Sequence, residues 1–138
     1  MFRADGHSER VKSFTLVELM VVMTIVAILA MVALPAYASN VKASKMSEGV
    51  TGVGVIRTAL RAYAAGHGES YPTLSGADGT GLSMLSISAE DLTGKYFAPE
   101  HYEVNSQAAG YTVRVTLPED TSYWYEVDEE GSVSKNNF

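Results

Sequence analysis

One carboxylate lies at the start of a long apolar stretch, and it is the residue in this sequence best placed to do chemistry. The run from Leu19 to Ala36 contains no charged residue, and Thr24 supplies its single hydroxyl. A run of roughly 18 or more apolar residues can cross a bilayer as a helix. An unpaired carboxylate at bilayer depth costs about 2.5 to 3.5 kcal/mol. We therefore expect Glu18 to have a positively charged partner, and that partner is the main indication of function.

The other side chains that often do catalysis give little indication of an enzyme. The chain has no cysteine, which excludes disulfides and thiolate metal sites. None of the three histidines, His7, His67 and His101, pairs in sequence with a nucleophile or a second ligand. Each is expected to be a surface residue, and the sequence predicts no catalytic residue.

A cluster of carboxylates near the C-terminus is the one candidate for a metal site. Asp128, Glu129 and Glu130 follow one another, and calcium takes about 6 to 8 oxygen ligands, carboxylates among them. The following Gly131 is typical of a turn. A solvated hairpin turn is the favoured interpretation, with calcium as the weaker alternative and no other cofactor expected.

Three interpretations of the apolar run remain open on its composition alone. It could be a signal anchor that tethers a small domain. It could be a removable secretory signal, since Ala36-Tyr37-Ala38 fits an A-x-A cleavage site. A signal core of that kind runs about 7 to 15 residues, whereas this run is longer and begins beside an acid. The third interpretation depends on the residues just before it.

Those residues, KSFTLVE from Lys12 to Glu18, resemble the class III signal of the type IV pilin and type II secretion pseudopilin superfamily. That signal has a short basic leader, a cut just before Phe, a Glu four residues after the new N-terminus, and a long apolar helix. Pro35 also falls where many members of the superfamily have a proline. The resemblance covers about the first quarter of the chain.

The resemblance implies how Glu18 acts. A prepilin peptidase is expected to cut between Ser13 and Phe14 and to methylate the new amine of Phe14. The resulting ammonium, buried among neighbouring helices, needs an anion, and Glu18 of an adjacent subunit can supply it. Removing one partner of a buried pair typically costs about 3 to 5 kcal/mol, so the pair would fix the axial register of subunits. The alternative is that Glu18 only stabilises the N-terminus of its own helix through the helix dipole.

The sequence divides into four segments that position these residues. They are a leader (1–13), an apolar transmembrane or filament-core helix (14–39), an amphipathic helix (40–66), and a loop and antiparallel-sheet head (67–138). Pro35 is expected to bend the helix. In the amphipathic part, apolar residues recur every three or four positions: Met46, Val50, Val53, Ile56, Leu60 and Tyr63. We expect this stripe to pack on the head.

The head is predicted to be mostly β-structure. Residues 67–94 are expected to form a connecting loop, with Ser88 and Asp91 capping one short helix. Alternation from Tyr111 to Leu117 predicts a strand, and residues 102–105, 122–127 and 132–134 supply three more. The predicted fold is α+β and type IV pilin-like: one long N-terminal helix packed against an antiparallel sheet of about four strands. The glycines Gly49, Gly52 and Gly54 suggest a bend, or a flank that another helix approaches.

Charge divides unevenly between the helix and the head. Residues 40–66 hold four basic residues and one acid, whereas residues 67–138 hold three basic residues and twelve acids. An acidic head repels the phosphate backbone, so no nucleic acid is expected as its partner. In the leader, Arg3, Arg10 and Lys12 outnumber the two acids, which favours a cytoplasmic N-terminus.

The functional prediction is a structural pilin, not an enzyme. Its expected partners are identical subunits in a helical filament, the prepilin peptidase, an inner-membrane assembly platform, and the lipid bilayer before assembly. The prepilin would lie in the bacterial inner membrane with a periplasmic head, and then in a surface filament or a periplasmic pseudopilus. Two alternatives remain: a major pseudopilin of type II secretion, and a membrane-anchored or secreted periplasmic binding domain.

Overall fold

A computed structural model describes residues 14–77 and 81–137, and its first element is a single long helix, α1, from Leu16 to Gly66. The helix ends at the glycine where the sequence predicts its end, and Pro35 lies inside it. The division between two compact units of the chain falls between Tyr37 and Ala38. This is close to the predicted end of the apolar segment at residue 39.

The C-terminal unit contains an antiparallel sheet of five strands in the order β1-β2-β3-β4-β5. Their bounds are β1 Leu74–Ala77, β2 Tyr102–Gln107, β3 Gly110–Leu117, β4 Asp120–Asp128 and β5 Val133–Asn136. Because consecutive strands are neighbours, the sheet is a meander with short links between β2, β3, β4 and β5. The predicted α+β, pilin-like class is confirmed.

The fifth strand, β1, lies where the sequence predicts a connecting loop. It pairs with β2, with Leu74 opposite Ser106 and Ala77 opposite Glu103. Four residues with Ser75 and Gly76 in the middle carry no strand alternation. The strand forms because β2 offers it a hydrogen-bonding edge and because Leu74 becomes buried in the core.

Three short 3-10 helices, Leu82–Leu85, Ala89–Leu92 and Pro99–His101, lie between β1 and β2. The middle one is the predicted capped helix: the backbone N–H and the hydroxyl of Ser88 both donate to Asp91 Oδ2 at 2.8 Å. The first is held by burial of Leu82 and Leu85. The sequence did not predict the first and third helices.

The core of the head lies between the amphipathic part of α1 and one face of the sheet. Of the predicted stripe, Met46, Val53, Ile56 and Leu60 are buried, and Val50 and Tyr63 are half-buried. Strand β3 alternates buried and half-buried residues along its length, which confirms the period of two predicted for it. Its inward side chains are Tyr111, Val113, Val115 and Leu117.

Gly49 and Gly52 of α1 lie where aromatic side chains of the head contact the helix. The helix runs through Gly49 and Gly52 as one element, and a bend there, or the approach of another helix, stays a prediction. The side chains of Phe97 and Tyr102 lie directly against these two glycines. Gly54 has open space around it. Two of the three glycines therefore allow aromatic rings close to the helix backbone.

Candidate functional site

Glu18 caps the N-terminus of α1 together with Thr15. The Glu18 Oε2 atom accepts hydrogen bonds from the backbone N–H of Thr15 at 2.9 Å and from its hydroxyl at 3.0 Å. In return, the backbone N–H of Glu18 donates to the Thr15 hydroxyl at 3.2 Å. This is a capping box, which satisfies backbone donors that no helix turn can reach. Thr15 was not among the predicted site residues, although the T-x-x-E spacing is a known helix-start signal.

The capping arrangement leaves half of the carboxylate available. Both of these bonds use Oε2, and Oε1 accepts no hydrogen bond from the residues that the structure describes. The side chain is exposed. Glu18 can therefore stabilise its own helix through one oxygen and offer the other to a cation, so the two functions predicted for it are compatible.

The residues around the predicted cleavage position are only partly described. Phe14 is 80% exposed, and Thr15 begins the capping box beside it. Ser13 and the rest of the leader, His7 included, lie outside the described residues. Cleavage between Ser13 and Phe14 and methylation of Phe14 stay predictions.

The segment after Phe14 presents a continuous apolar surface. From Phe14 to Tyr37 every side chain is exposed except the half-buried Ala30. Helix α1 is long and apolar enough in this part to cross a membrane. Apolar patches larger than a few hundred Å² rarely stay exposed to water on soluble proteins. This surface therefore needs lipid or other apolar side chains to cover it.

Thr24 and Pro35 differ in their hydrogen-bonding groups from the other residues of this segment. The Thr24 hydroxyl donates to the Met20 carbonyl at 2.8 Å, a known hydrogen bond for a threonine inside a helix. Pro35 has no N–H to donate, and it lies within α1. The bend expected at Pro35 stays a prediction.

The acidic turn between β4 and β5 uses one of its carboxylates to hold its own backbone. Asp128 Oδ1 accepts hydrogen bonds from the backbone N–H groups of Gly131 at 2.9 Å and Ser132 at 2.8 Å. Arg61 donates to the Glu129 carbonyl at 3.2 Å, and Glu130 is exposed. In residues 14–77 and 81–137, no group of three or more His, Cys, Asp or Glu is placed to hold a metal ion. Calcium at this turn stays a prediction.

Ion pairs attach the turn between β3 and β4 to the start of the amphipathic helix. Lys42 donates to Asp120 at 2.7 Å, and Lys45 donates to Glu119 at 2.6 Å. The ammonium of Lys42 also lies 4.9 Å from the centre of the Tyr123 ring. The hydrogen bond from Lys42, with two more from Ser122, lowers the pKa of Asp120 to about 2.

Glu48 makes a contact that the sequence analysis missed. Its Oε1 atom accepts hydrogen bonds from the backbone N–H groups of Tyr96 at 2.9 Å and Phe97 at 3.0 Å. This carboxylate positions the loop that carries Phe97 into the core beside Gly49. Its partners lie 48 and 49 residues away along the chain, so no local pattern could have indicated them.

The two described histidines contribute to local structure. The His67 ring stacks on Tyr63 at 3.9 Å, and its Nδ1 lies 2.8 Å from the Tyr63 carbonyl. His101 Nδ1 accepts a hydrogen bond from the backbone N–H of Ala98 at 2.9 Å. These contacts close the C-terminal turn of α1 and the third 3-10 helix.

A comparison with protein families identifies a known motif in the same N-terminal segment that forms the capped, apolar start of α1. The protein-family model described as the prokaryotic N-terminal methylation motif matches residues 10–34 of this chain. This range includes the end of the leader, the predicted cleavage position, the Thr15–Glu18 capping box and most of the apolar run. The comparison with curated proteins gives no match. The chain therefore carries, at residues 10–34, the prepilin-type cleavage and methylation motif that is found in type IV pilins and pseudopilins.

Proposed function

We propose that this chain is the structural subunit of a type IV pilus-like filament, and that it has no catalytic activity of its own. The observation that carries the proposal is the exposed apolar surface from Phe14 to Tyr37, which directly follows the start of the methylation motif. Such a surface suits a protein that is held in lipid first and surrounded by identical helices afterwards.

Assembly would exchange one apolar environment for another. The prepilin peptidase would cut between Ser13 and Phe14, so that Phe14 carries a methylated ammonium. As the helix leaves the bilayer for the filament core, that ammonium would pair with Oε1 of Glu18 in a neighbouring subunit. The Thr15 hydrogen bonds to Oε2 support this step, because they fix the carboxylate before the partner arrives.

The contacts between subunits would be heterologous, since a helical polymer joins two different surfaces of the same chain. The precursor would lie in the inner membrane with the head outside the cytoplasm, where an assembly platform extracts it. The finished filament would be extracellular. The acidic head makes nucleic acid an unsuitable partner for it.

The pilus and pseudopilin alternatives differ in where the processed chain is found. The intact mass of the chain, measured in sheared surface material and in the cell envelope, therefore distinguishes them. The filament proposal predicts a chain that lacks residues 1–13, gains one methyl group and is recovered in sheared surface material. The same mass confined to the cell envelope would instead indicate a type II secretion pseudopilin. An unprocessed mass, or a cut after Ala38, would contradict both and leave a membrane-anchored or secreted binding domain.

The effect of calcium on thermal stability is a second, independent test of the pseudopilin alternative. A calcium ion bound by Asp128, Glu129 and Glu130 would raise the melting temperature of the full chain in detergent, and magnesium would not. The matched variant is Glu130→Gln, because Glu130 makes no hydrogen bond to the described residues. A melting temperature that calcium leaves unchanged would contradict calcium binding at this turn and would not affect the filament proposal.

A further inference from the structure

A polar cleft lies on the sheet of the head, beside the turn between β2 and β3. Its volume is about 450 Å³, within the range of about 300 to 1,000 Å³ that is typical of small-molecule sites. Residues of β1, β2 and β3 line it, together with one residue of the turn after β4. Its lining includes six polar side chains that lie outside the core: Thr73, Ser75, Asn105, Gln107, Thr112 and Glu129.

The register of the sheet brings these side chains together on one face. Ser75, Asn105 and Thr112 are direct neighbours across β1, β2 and β3. Gln107 follows Asn105 by two residues on β2, so it faces the same way. Buried residues alternate with this row on all three strands: Leu74, Ser106 and Tyr111. Neighbours in such a row lie about 4.5 to 5.5 Å apart, so several of these side chains can contact one small ligand.

Glu129 lies at one end of the cleft, and Gly110 makes room for it. A Cβ at position 110 would lie 2.8 Å from both Cδ and Oε1 of Glu129. The φ of Gly110 is outside the left-handed region, so its backbone conformation does not require glycine. The missing side chain instead allows the carboxylate to stay against β3, inside the cleft.

Most hydrogen-bonding groups of the cleft are available to a ligand. Asn105 Nδ2 donates to Glu103 at 3.1 Å, which leaves the amide oxygen free to accept. The side chains of Gln107, Thr112 and Glu129 make no hydrogen bond to any residue that the structure describes. The cleft therefore presents amide and hydroxyl groups that both donate and accept, and a carboxylate that only accepts.

The charge of the cleft restricts the class of ligand. No lysine, arginine or histidine is among the described residues that line it, and the carboxylate of Glu129 disfavours an anion. An uncharged molecule with several neighbouring hydroxyl groups fits the lining, because each hydroxyl donates one hydrogen bond and accepts others. Two adjacent hydroxyls can pair with both oxygens of a carboxylate, or with the oxygen and nitrogen of one amide.

We propose that this cleft binds a neutral sugar unit of a glycan. Glu129 accepts hydrogen bonds from the sugar, and Asn105 and Gln107 both donate and accept. The site lies within a single head, so the inference goes beyond the proposed filament function and does not depend on it. In a filament the site would repeat from subunit to subunit, and many weak contacts would add up through multivalency.

Amide NMR of the full chain, in a detergent without a sugar headgroup, tests the site. The probes are the methyl glycosides of glucose, galactose, mannose and N-acetylglucosamine, with calcium chelated, and galacturonate is the charged comparison. We expect at least one methyl glycoside to cause saturable shifts at the amides that line the cleft: Ser75, Asn105, Gln107 and Thr112. Galacturonate should cause none, because Glu129 repels its carboxylate.

Two variants change the cleft and leave the core residues unaltered. Glu129→Gln should weaken binding of that glycoside about tenfold, because hydrogen bonds to a charged group are the stronger ones. Gly110→Ala should weaken it to a similar extent, since the new methyl group would displace the carboxylate. The matched control is Asn136→Ala, an exposed amide of β5 that lies opposite Trp124 and outside the cleft. It should bind like the unaltered chain.

Several results would overturn the sugar site. They are the absence of saturable shifts from all four methyl glycosides, binding of galacturonate at the same amides, and a Glu129→Gln variant that binds as tightly as the unaltered chain. Shifts that appear only when calcium is added would also overturn it, because a metal would then hold the sugar. None of these results affects the filament proposal, which the intact-mass measurement tests separately.

Discussion

The ring of Tyr102 occupies the space that a side chain at Gly52 would need. A Cβ at position 52 would lie 2.7 Å from Cε1 of Tyr102 and closer still to its hydroxyl oxygen. Tyr102 begins β2 and is 2% exposed, so the ring cannot move into solvent. This contact fixes how closely the sheet approaches the amphipathic part of α1.

Gly52→Ala should therefore destabilise the head although alanine favours helices. Overpacking a core by one methyl group typically costs about 1 to 3 kcal/mol. Gly54→Ala is the matched control, because the space around Gly54 is open and alanine is favoured over glycine in helices by about 1 kcal/mol. Thermal unfolding of the full chain in detergent should show opposite shifts. A stabilised Gly52→Ala variant would mean that Tyr102 adapts easily.

Glu48→Gln should loosen the loop that carries Phe97. Hydrogen bonds to charged groups contribute about 1.5 to 3 kcal/mol, and glutamine keeps one oxygen acceptor without the charge. We expect faster amide exchange at Tyr96 and Phe97 and a lower free energy of unfolding. Glu90→Gln serves as the control, since Glu90 is exposed and holds no backbone amide among the described residues. Equal exchange in both variants would show that the loop is held by packing.

The sequence predicts the parts of this fold that local patterns encode. The apolar run, the stripe from Met46 to Leu60 and the alternation of β3 each follow from periodicity, because one face of each element is buried. Ser88 and Asp91 can also be predicted to cap a helix, because the two interacting residues lie only three positions apart in the sequence.

The features of the fold that the sequence does not predict depend on contacts between residues far apart in the chain. Lys42 meets Asp120 across 78 residues, and β1 exists because β2 offers an edge to residues with little strand preference. The close approach at Gly52 could be recognised only after Tyr102 was placed above it. At the N-terminus, by contrast, Thr15 and Glu18 lie three residues apart, so the T-x-x-E spacing is enough to indicate their capping box.

Acid should weaken the attachment of the turn between β3 and β4. The pKa of Asp120 is lowered from 3.8 to about 2 in the folded chain. A lowered pKa adds stability that is fully present above the unfolded value and is lost as the pH falls from about 4 to about 2. Asp120→Asn should therefore unfold with a flatter dependence on pH across this window.

The control for Asp120 is Glu100→Gln, since Glu100 is exposed and makes no hydrogen bond to the described residues. Unfolding of the full chain in detergent, followed from pH 5 to pH 2 at one temperature, compares the variants. A curve for Asp120→Asn that parallels the unaltered chain would mean that Lys42 contributes nothing through its charge.

The two functions of Glu18 can be separated by changing it and Thr15 independently. Glu18→Gln removes the charge and keeps an oxygen that can accept from Thr15. Thr15→Val removes the hydroxyl and keeps the charge. If the carboxylate pairs with the Phe14 ammonium of a neighbour, Glu18→Gln should leave cleavage intact and abolish or strongly reduce filaments, and Glu18→Ala should do the same. Loss of one partner of a buried pair costs about 3 to 5 kcal/mol.

Thr15→Val should assemble with a much smaller defect, because an N-cap contributes only about 1 kcal/mol. Filament yield in sheared material, divided by the amount of processed subunit in the membrane, is the quantity to compare. A valine variant as defective as the glutamine variant would mean that Glu18 acts by capping its own helix. Normal filaments from Glu18→Gln would instead remove the charge pair from the mechanism, since the capping acceptor alone would then be sufficient for assembly.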